Sequence, residues 1–134
     1  MGRIRRKTHG PEWYIQNALR DYMEARGWHV ERMIGNALQM GIPDLNAAHP
    51  KWGERWIDVK QPKKYGFTKE QKRKWPIWAE FGRGIWILTA ATQAEYDKLW
   101  QPPNWRDFWK SSWGEIPDID ALITELQNER ANEE

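Results

Sequence analysis

Apolar residues recur at helical spacing near the N-terminus of the chain. Ile15, Leu19 and Met23 are each four residues apart, so their side chains share one face of a helix. Gly27 follows this pattern and is typical of the position just beyond a helix end. The pattern therefore predicts an amphipathic helix over residues 12–26.

Shorter segments that combine apolar residues with turn residues follow this helix. Residues 28–33 alternate weakly between polar and apolar side chains, as a strand does, and residues 42–48 predict a second short strand. Turn-forming residues occupy positions 49–54, and residues 55–60 predict a return strand. The second and third strands are therefore expected to form a hairpin.

A second helix and a strongly apolar strand come next. Thr68 and Gln71 match a capping box, which predicts a helix that runs to about Phe81. Because proline disrupts a helix interior, Pro76 predicts a kink or a division into two shorter helices. Residues 84–90 are nearly all apolar, which predicts a strand buried on both faces, central in the sheet and parallel to a neighbour.

The C-terminal third is rich in tryptophan and then in acidic residues. Residues 92–100 predict a helix, and residues 101–114, with two prolines and three tryptophans, predict an irregular aromatic segment. Pro117 opens a final amphipathic helix. The order of elements is α-β-β-β-α-β with C-terminal helical additions. We therefore expect an α/β fold in which helices flank a small mixed β-sheet.

Length and composition limit the kinds of protein to consider. The 134 residues fit a single domain with a basic arm (1–10), a core (11–91) and a C-terminal extension (92–134). The absence of cysteine excludes disulfides, thiolate metal sites and thiol nucleophiles. No apolar stretch approaches the about 20 residues of a membrane helix, and no signal-peptide or nucleotide-binding glycine motif occurs. We expect a soluble, cytoplasmic protein (host cytoplasm if viral) without a nucleotide cofactor.

Charge is divided unequally along the chain. Residues 1–114 contain 20 Lys and Arg against 12 Asp and Glu, whereas residues 115–134 contain one Arg and seven acids. A basic body favours a polyanionic partner, although such charges also occur on faces that are merely solvated. The cations predicted to bind nucleic acid are Arg5, Arg6, Lys63, Lys64, Lys69, Lys72, Arg73 and Lys74.

The predicted hairpin brings acidic residues together. Asp58 and Lys60 are two positions apart on one strand, so their side chains leave the same face, and Asp44 lies on the paired strand. Carboxylates are the protein ligands of Mg²⁺ and Mn²⁺, and the Val59 carbonyl is a candidate further ligand. Lys60 would then stabilise a phosphate or help to activate water. The alternative is an Asp–Lys pair on the surface of an edge strand.

Three motifs in this order resemble a nuclease family. They are Gly41-Ile42-Pro43-Asp44, Ile57-Asp58-Val59-Lys60 and Thr68-Lys69-Glu70-Gln71. Together they are similar to the PD-(D/E)xK nuclease superfamily and, within it, to the small stand-alone VRR-NUC type found in phages and bacteria. The resemblance spans about residues 12–91, and it differs from many members in having Asp rather than Glu at position 58.

The resemblance implies a restriction-endonuclease-like core and a Mg²⁺- or Mn²⁺-dependent endonuclease that hydrolyses DNA. It also implies a preference for branched, flapped, nicked or Holliday-junction DNA. The alternatives are a sequence-specific endonuclease of the homing or restriction kind on the same core, and a non-catalytic module that binds nucleic acid. The resemblance implies Asp44, Asp58, Val59 and Glu12 as metal ligands, with Glu12, Asp44, Asp58, Lys60 and Gln71 as catalytic residues.

Tryptophan forms one further pattern. Trp105, Trp109 and Trp113 recur every four residues, which is consistent with a stripe on a helix. Such a stripe belongs more often to a core or to a dimer surface than to a base-stacking platform. Because cutting both strands of DNA favours paired nuclease domains, the stripe is a candidate surface for a homodimer.

Overall fold

The elements occur in the predicted order. The structure, a computed structural model, describes residues 10–33, 41–62, 67–113 and 118–133, with the backbone alone at 110–113 and 133. The core elements are α1 (Pro11–Glu24), β1 (His29–Arg32), β2 (Leu45–His49), β3 (Gly53–Val59), α2 (Lys69–Glu80) and β4 (Ile85–Leu88). The predicted order α-β-β-β-α-β is therefore confirmed.

Helices make up most of the C-terminal part. They are α3 (Gln93–Asp97), which continues as a 3-10 helix over Lys98–Trp100, then α4 (Trp105–Trp113) and α5 (Ile119–Glu133). The expectation of an irregular segment over 101–114 holds for residues 101–104 and is wrong for residues 105–113, where Trp105 and Trp109 pack one helical face of α4 into the core. Residue 114 lies outside the described residues. Among the described residues, no helix is both long and apolar enough to cross a bilayer.

The four strands form one mixed sheet in the order β1-β2-β3-β4. β2 pairs antiparallel with both β1 and β3, and β4 pairs parallel with β3. All four residues of β4 are buried, as predicted, but β4 lies at the edge of the described sheet and not at its centre. The Asn104 side chain accepts from Ile87 N–H at 2.6 Å and donates to Ile87 C=O at 3.0 Å. Asn104 thus supplies the hydrogen bonds that a further strand would give to Ile87 at the open edge of β4.

Apolar side chains cover both faces of the sheet. On one face α1 and α3 pack on the strands through residues such as Leu19, Met23 and Tyr96. On the other face Trp75 of α2 and Trp105 and Trp109 of α4 pack on β4. The two tryptophans of α4 are therefore buried within their own chain and do not form a dimer surface. The side chain of Trp113 lies outside the described residues.

Helix α2 carries a complete capping box and an internal proline. Thr68 Oγ1 accepts from Gln71 N–H, and the Gln71 side chain accepts from Thr68 N–H. Pro76 does not divide α2 into two helices, as one alternative predicted. Trp75 is fully buried next to Pro76, and Trp78 packs edge-on against Trp56 of β3 at 5.1 Å. This packing holds the helix to the sheet beside the proline.

Candidate active site

Asp44 and Asp58 meet where β2 begins and β3 ends. The register places Leu45 opposite Ile57, so the residues just before and after this pair are neighbours. Asp44 Oδ2 accepts from Val59 N–H at 2.8 Å, and Asp58 Oδ1 accepts from Asp44 N–H at 3.3 Å. The structure therefore brings the two carboxylates together, as the hairpin predicts.

The segment before Asp44 is fixed against helix α2. Gly41 has φ +87°, and a Cβ at this position would lie 2.8 Å from the carbonyl carbon of Glu70. The Gly41 carbonyl accepts from Trp75 Nε1 at 2.7 Å. Only glycine fits both the positive φ and the close approach, so the first residue of this motif positions the chain that leads to Asp44.

Lys60 and Gln71 complete the polar group around Asp58. Lys60 Nζ lies 2.9 Å from Asp58 Oδ2 and donates to Gln71 Oε1 at 3.1 Å. Gln71 Nε2 donates to Asp58 Oδ1 at 3.4 Å. The ammonium also lies 4.8 Å from the ring centroid of Phe67. Lys60 and Asp58 are only 5% and 1% exposed, so this is a buried ion pair and not a surface pair.

Gln71 takes part in both the helix cap and the polar site. Its Oε1 accepts two hydrogen bonds, one from Thr68 N–H at 3.0 Å and one from Lys60 Nζ. The cap therefore fixes the amide so that its NH₂ group faces Asp58. Gln71 therefore caps α2 and contacts Lys60 and Asp58 at the same time, and its role in the site remains a prediction.

The site has more negative than positive charge. Burial, and then the neighbouring Asp44, raise the pKa of Asp58 from its ordinary 3.8 to about 8, although Lys60 opposes this shift. Burial also raises the pKa of Asp44, against its hydrogen bond from Val59 and the charge of Lys60. The ammonium of Lys60 alone does not compensate the buried carboxylate of Asp58 and the half-buried carboxylate of Asp44, so the cluster favours an additional cation.

The side chains at this site fit a hard divalent cation. Asp58 Oδ2 is buried and makes no hydrogen bond among the described residues, apart from its ion pair with Lys60. Carboxylate oxygens of this kind are the ligands that Mg²⁺ and Mn²⁺ prefer. In the part of the chain that the structure describes, no three acidic or histidine side chains gather closely enough to share one ion. A two-carboxylate site at Asp44 and Asp58 is the arrangement present.

Glu12 and Arg32 lie at the rim of the site. Burial raises the pKa of Glu12, and the charges of Lys60 and Asp44 act on it in opposite directions, so Glu12 is within electrostatic range of both. Its role as a third metal ligand remains a prediction. Arg32 was not predicted as part of the site. Its charge opposes the burial that raises the pKa of Asp44, and its Nη2 donates to Asn17 Oδ1 at 2.5 Å.

The register of β1 explains why Arg32 reaches the site. Arg32 pairs with Leu45, the residue directly after Asp44, and Met33 N–H donates to the Asp44 carbonyl at 2.7 Å. A sequence gives no sign of this pairing, since residues 33–44 separate the two strands in the chain and no local pattern sets which residue of β1 lies opposite Leu45. Only the register of β1 against β2 shows that Arg32 lies beside Asp44.

The predicted DNA-binding cations differ in their exposure and in their ion pairs. Lys69 is exposed, Lys72 is half-buried, and Lys74 Nζ lies 4.0 Å from Glu70 Oε2. Four other members of the predicted set lie outside the described residues: Arg5, Arg6, Lys63 and Lys64. The basic character of this part of the surface therefore rests on helix α2 in the described structure.

Arg73 of α2 is covered by the acidic helix α5. Its guanidinium is 13% exposed and forms ion pairs with Glu70 at 3.4 Å, with Glu125 at 3.5 Å and with Glu129. The Glu129 carboxylate, before any other group, raises the pKa of Arg73. A phosphate that binds Arg73 would have to displace two carboxylates of α5, which carries most of the acidic charge of the C-terminal segment.

Comparisons with known proteins support the fold. No protein-family model and no curated protein sequence matches this chain. A solved structure described as "VRR_NUC domain" is similar to it, with a TM-score of 0.56 and 18% sequence identity over 67% of this chain and 95% of that chain. This likeness agrees with the resemblance in the three motifs. The chain therefore has a VRR-NUC-like fold, an α/β core of the restriction-endonuclease kind.

Proposed function

We propose that the chain is a metal-dependent endodeoxyribonuclease that hydrolyses phosphodiester bonds in DNA. The observation that carries this proposal is the group formed by the half-buried Asp44 with the buried Asp58, Lys60 and Gln71 at one end of the β2–β3 pair. The VRR-NUC-like fold supports it, since the same motifs that identify the resemblance contribute this group.

Asp44 and Asp58, with the Val59 carbonyl and Glu12 as further candidate ligands, would hold one Mg²⁺ or Mn²⁺ ion. A bound ion of this kind polarises a phosphodiester and lowers the pKa of water. The hydrogen bond from Val59 N–H fixes the Asp44 carboxylate, and the hydrogen bond from Asp44 N–H fixes that of Asp58. The backbone of one hairpin thus orients both carboxylates.

Lys60 supplies positive charge to the phosphate. Its ammonium has three donors, and its described polar contacts are with Asp58 and Gln71. One donor remains for a phosphate oxygen, and stabilisation of charge that develops there is the role we assign to Lys60. Gln71 holds the ammonium in place, and the charge of Arg32, which acts on Asp44, would attract a phosphate to the same side of the site.

The proposed substrate is branched, flapped or nicked DNA. A domain of this size has little room for a module that reads sequence, which favours selection by DNA structure. Cleavage at one defined site of a linear duplex would indicate the sequence-specific alternative. Homodimer formation also remains a prediction, and it requires a surface other than Trp105 and Trp109.

The test compares the wild-type protein with Asp58→Ala and with Asp21→Ala, an exposed aspartate on α1 that serves as a control. Each protein is incubated with supercoiled plasmid and with a labelled four-way junction in Mg²⁺, Mn²⁺ or EDTA. We expect the wild type and Asp21→Ala to cut in either metal and not in EDTA, whereas Asp58→Ala is inactive.

A different result would contradict the proposal. If neither substrate is cut, and binding of DNA is unchanged by EDTA and by Asp58→Ala, the chain is a non-catalytic binding module. If Asp58→Ala cuts as fast as the wild type, the cleaving activity does not belong to this site.

A further inference from the structure

Two exposed tryptophans lie side by side at the hairpin end of the β2–β3 pair. Trp52 and Trp100 are 44% and 39% exposed, and their ring centroids are 4.9 Å apart. Single exposed aromatic residues are ordinary, but an adjacent pair marks a surface that contacts something. We define the hairpin patch as these two residues with Arg26, Lys51 and Arg55.

The rings of the hairpin patch rest on a rigid base. Trp28 is buried beneath Trp100, with the ring centroids 5.8 Å apart, and its Nε1 donates to the Tyr96 hydroxyl at 3.1 Å. Tyr96 also packs edge-on against Trp100 at 5.8 Å. The exposed rings are therefore held in position before any ligand arrives, which lowers the entropy cost of binding.

Arg55 connects the two segments that carry the exposed rings. Its Nε donates to the Leu99 carbonyl at 3.0 Å, and its Nη1 donates to the Trp52 carbonyl at 3.1 Å. The guanidinium lies 5.8 Å from the ring centroid of Trp100. The described partners of Arg55 are thus carbonyls and rings, and none of them neutralises its charge.

The hairpin patch is positively charged. Lys51 Nζ lies 4.6 Å from the Trp52 ring, and the Arg26 guanidinium lies 3.4 Å from the Tyr22 ring. Among the described residues, no carboxylate forms an ion pair with Arg26, Lys51 or Arg55.

The acid next to Arg55 in the chain faces away from the hairpin patch. Glu54 precedes Arg55 on β3, so its side chain leaves the opposite face of the sheet. There its carboxylate accepts from Trp56 Nε1 at 2.8 Å. The Glu54 carboxylate therefore does not neutralise Arg55 on the face that carries Trp100.

We propose that the hairpin patch binds unpaired nucleotides of a nucleic-acid strand by base stacking, an inference that rests on the proposed nuclease function for its choice of DNA. Aromatic faces stack on any base, and the neighbouring cations attract the phosphates between the bases. A second copy of the same patch would bring like charges together, which disfavours self-association through this surface.

The distance to the carboxylate site defines the class of substrate. From Trp52 to Asp58 the chain advances six residues along β3, which corresponds to about 20 Å. Asp58 alternates with Arg55 along β3, so its side chain leaves the other face of the sheet, and a bound strand would have to pass round the sheet to reach it. A stacked strand advances about 3.4 Å per nucleotide, so about six nucleotides is the least that bridges the two places. The substrate class is therefore DNA with a single-stranded extension, such as a flap or a splayed arm, of about six nucleotides or more.

The test measures binding without cleavage. A fluorescein-labelled ten-nucleotide oligothymidylate is titrated in EDTA with the wild type, with Trp52→Leu and with Trp52→Tyr, and its anisotropy is recorded. The control is Phe81→Leu, a 72% exposed aromatic residue at the end of α2. We expect Trp52→Leu to weaken binding about tenfold or more, whereas Trp52→Tyr and Phe81→Leu change it by less than about threefold.

A second variant tests the electrostatic part. Lys51→Gln removes one exposed cation, and we expect it to reduce the slope of log affinity against log salt by about 0.7, the value for one phosphate contact on a single strand. Trp52→Leu carries no charge change, so it should lower affinity at every salt concentration and leave the slope unchanged. Lys51→Gln also keeps the test decisive if Trp52→Leu does not fold.

The proposal is overturned if Trp52→Leu and Lys51→Gln bind the oligonucleotide as the wild type does, or if Phe81→Leu loses as much affinity as Trp52→Leu. A change of sedimentation coefficient in Trp52→Leu with unchanged oligonucleotide binding would instead identify a contact between copies of this chain, which also overturns it. Because the test measures binding and requires no cleavage, its outcome does not depend on the outcome of the nuclease assay.

Discussion

The two ends of the β2–β3 pair differ in what they bury and what they expose. At one end Asp44, Asp58 and Lys60 place three charged groups in or near the protein interior. At the other end Trp52 and Trp100 leave large apolar rings in water. Each end reverses the usual rule that charge lies outside and apolar surface lies inside.

The reversal indicates two places on one hairpin where function, and not packing, would decide the residues, as both proposals hold. Neither end minimises the free energy of the isolated chain, because buried carboxylates lose hydration and exposed tryptophans gain no burial. Local departures of this kind are typical of functional sites on a fold that otherwise obeys the packing rules. The carboxylate end suits chemistry that needs a low dielectric, and the hairpin end suits adhesion to a flexible strand.

We expect the largest effect on cleavage when the positive charge is removed from the carboxylate end of the β2–β3 pair. Lys60→Met keeps an apolar stem of similar length, and we expect the single-turnover cleavage rate to fall by about 10²–10³-fold, as when one electrostatic donor to a transition state is lost. Arg83→Met, which removes an exposed cation outside the predicted DNA-binding set, is the control and should change the rate by less than about fivefold. An equal loss in both variants would show that general DNA binding, and not this site, limits the rate.

Two glycines, one near each end of the β2–β3 pair, allow the cost of a left-handed backbone to be measured apart from the cost of a steric overlap. Gly41 and Gly53 have nearly the same φ, +87° and +83°, but a Cβ at Gly53 would meet nothing within 4 Å. We expect Gly53→Ala to cost about 1–2 kcal/mol of unfolding free energy, the cost of a left-handed conformation. Gly41→Ala should cost about 1–3 kcal/mol more, because it also overlaps the Glu70 backbone. Urea denaturation measures both, and equal losses would contradict the close contact with α2.

Removal of one carboxylate should stabilise the metal-free protein. Asp44→Asn keeps an oxygen that accepts from Val59 N–H and removes the charge that helps to raise the pKa of Asp58. Because the folded state binds the Asp58 proton more tightly than the unfolded chain, the wild type loses stability as pH rises from about 4 to about 8. We therefore expect Asp44→Asn to have the higher melting temperature in EDTA, with a difference that grows over this pH range. A wild type that melts higher than Asp44→Asn at pH 8 would contradict the excess of negative charge.

The smallest expected effect concerns the acidic cover over α2. Glu125 and Glu129 of α5 pair with Arg73, and the double substitution to glutamine removes both charges at little cost in shape. We expect the affinity for duplex DNA to rise about two- to fivefold at low salt, since exposed ion pairs are individually weak. Asp118→Asn, an exposed acid just before α5, is the control. Unchanged affinity in the double variant would show that DNA does not reach Arg73.

The motifs predicted the site better than they predicted its surroundings. Asp44, Asp58 and Lys60 follow from strand pairing across a short hairpin, and Gln71 follows from a capping box, so each depends on local sequence. The position of β4 at an edge depends on Asn104, whose two hydrogen bonds to Ile87 are contacts that no local pattern indicates.

The same limit applies to the charged and aromatic surfaces. The pairing of Arg73 with α5 joins residues more than 50 positions apart, and the hairpin patch joins Trp52 to Trp100 across the sheet. Composition showed an acidic tail and an excess of tryptophan, but it did not show which partner each would meet. Periodicity describes one element at a time, whereas these contacts arise when separate elements pack.

The most direct test of the central claim is a calorimetric titration of the metal-free protein with Mn²⁺. We predict binding of one ion per chain to the wild type and to Asp21→Asn, and no measurable binding to Asp44→Asn, whose fold is verified by its melting curve. Mn²⁺ binding of equal affinity to Asp44→Asn and to the wild type would contradict the assignment of the Asp44–Asp58 pair as the metal site.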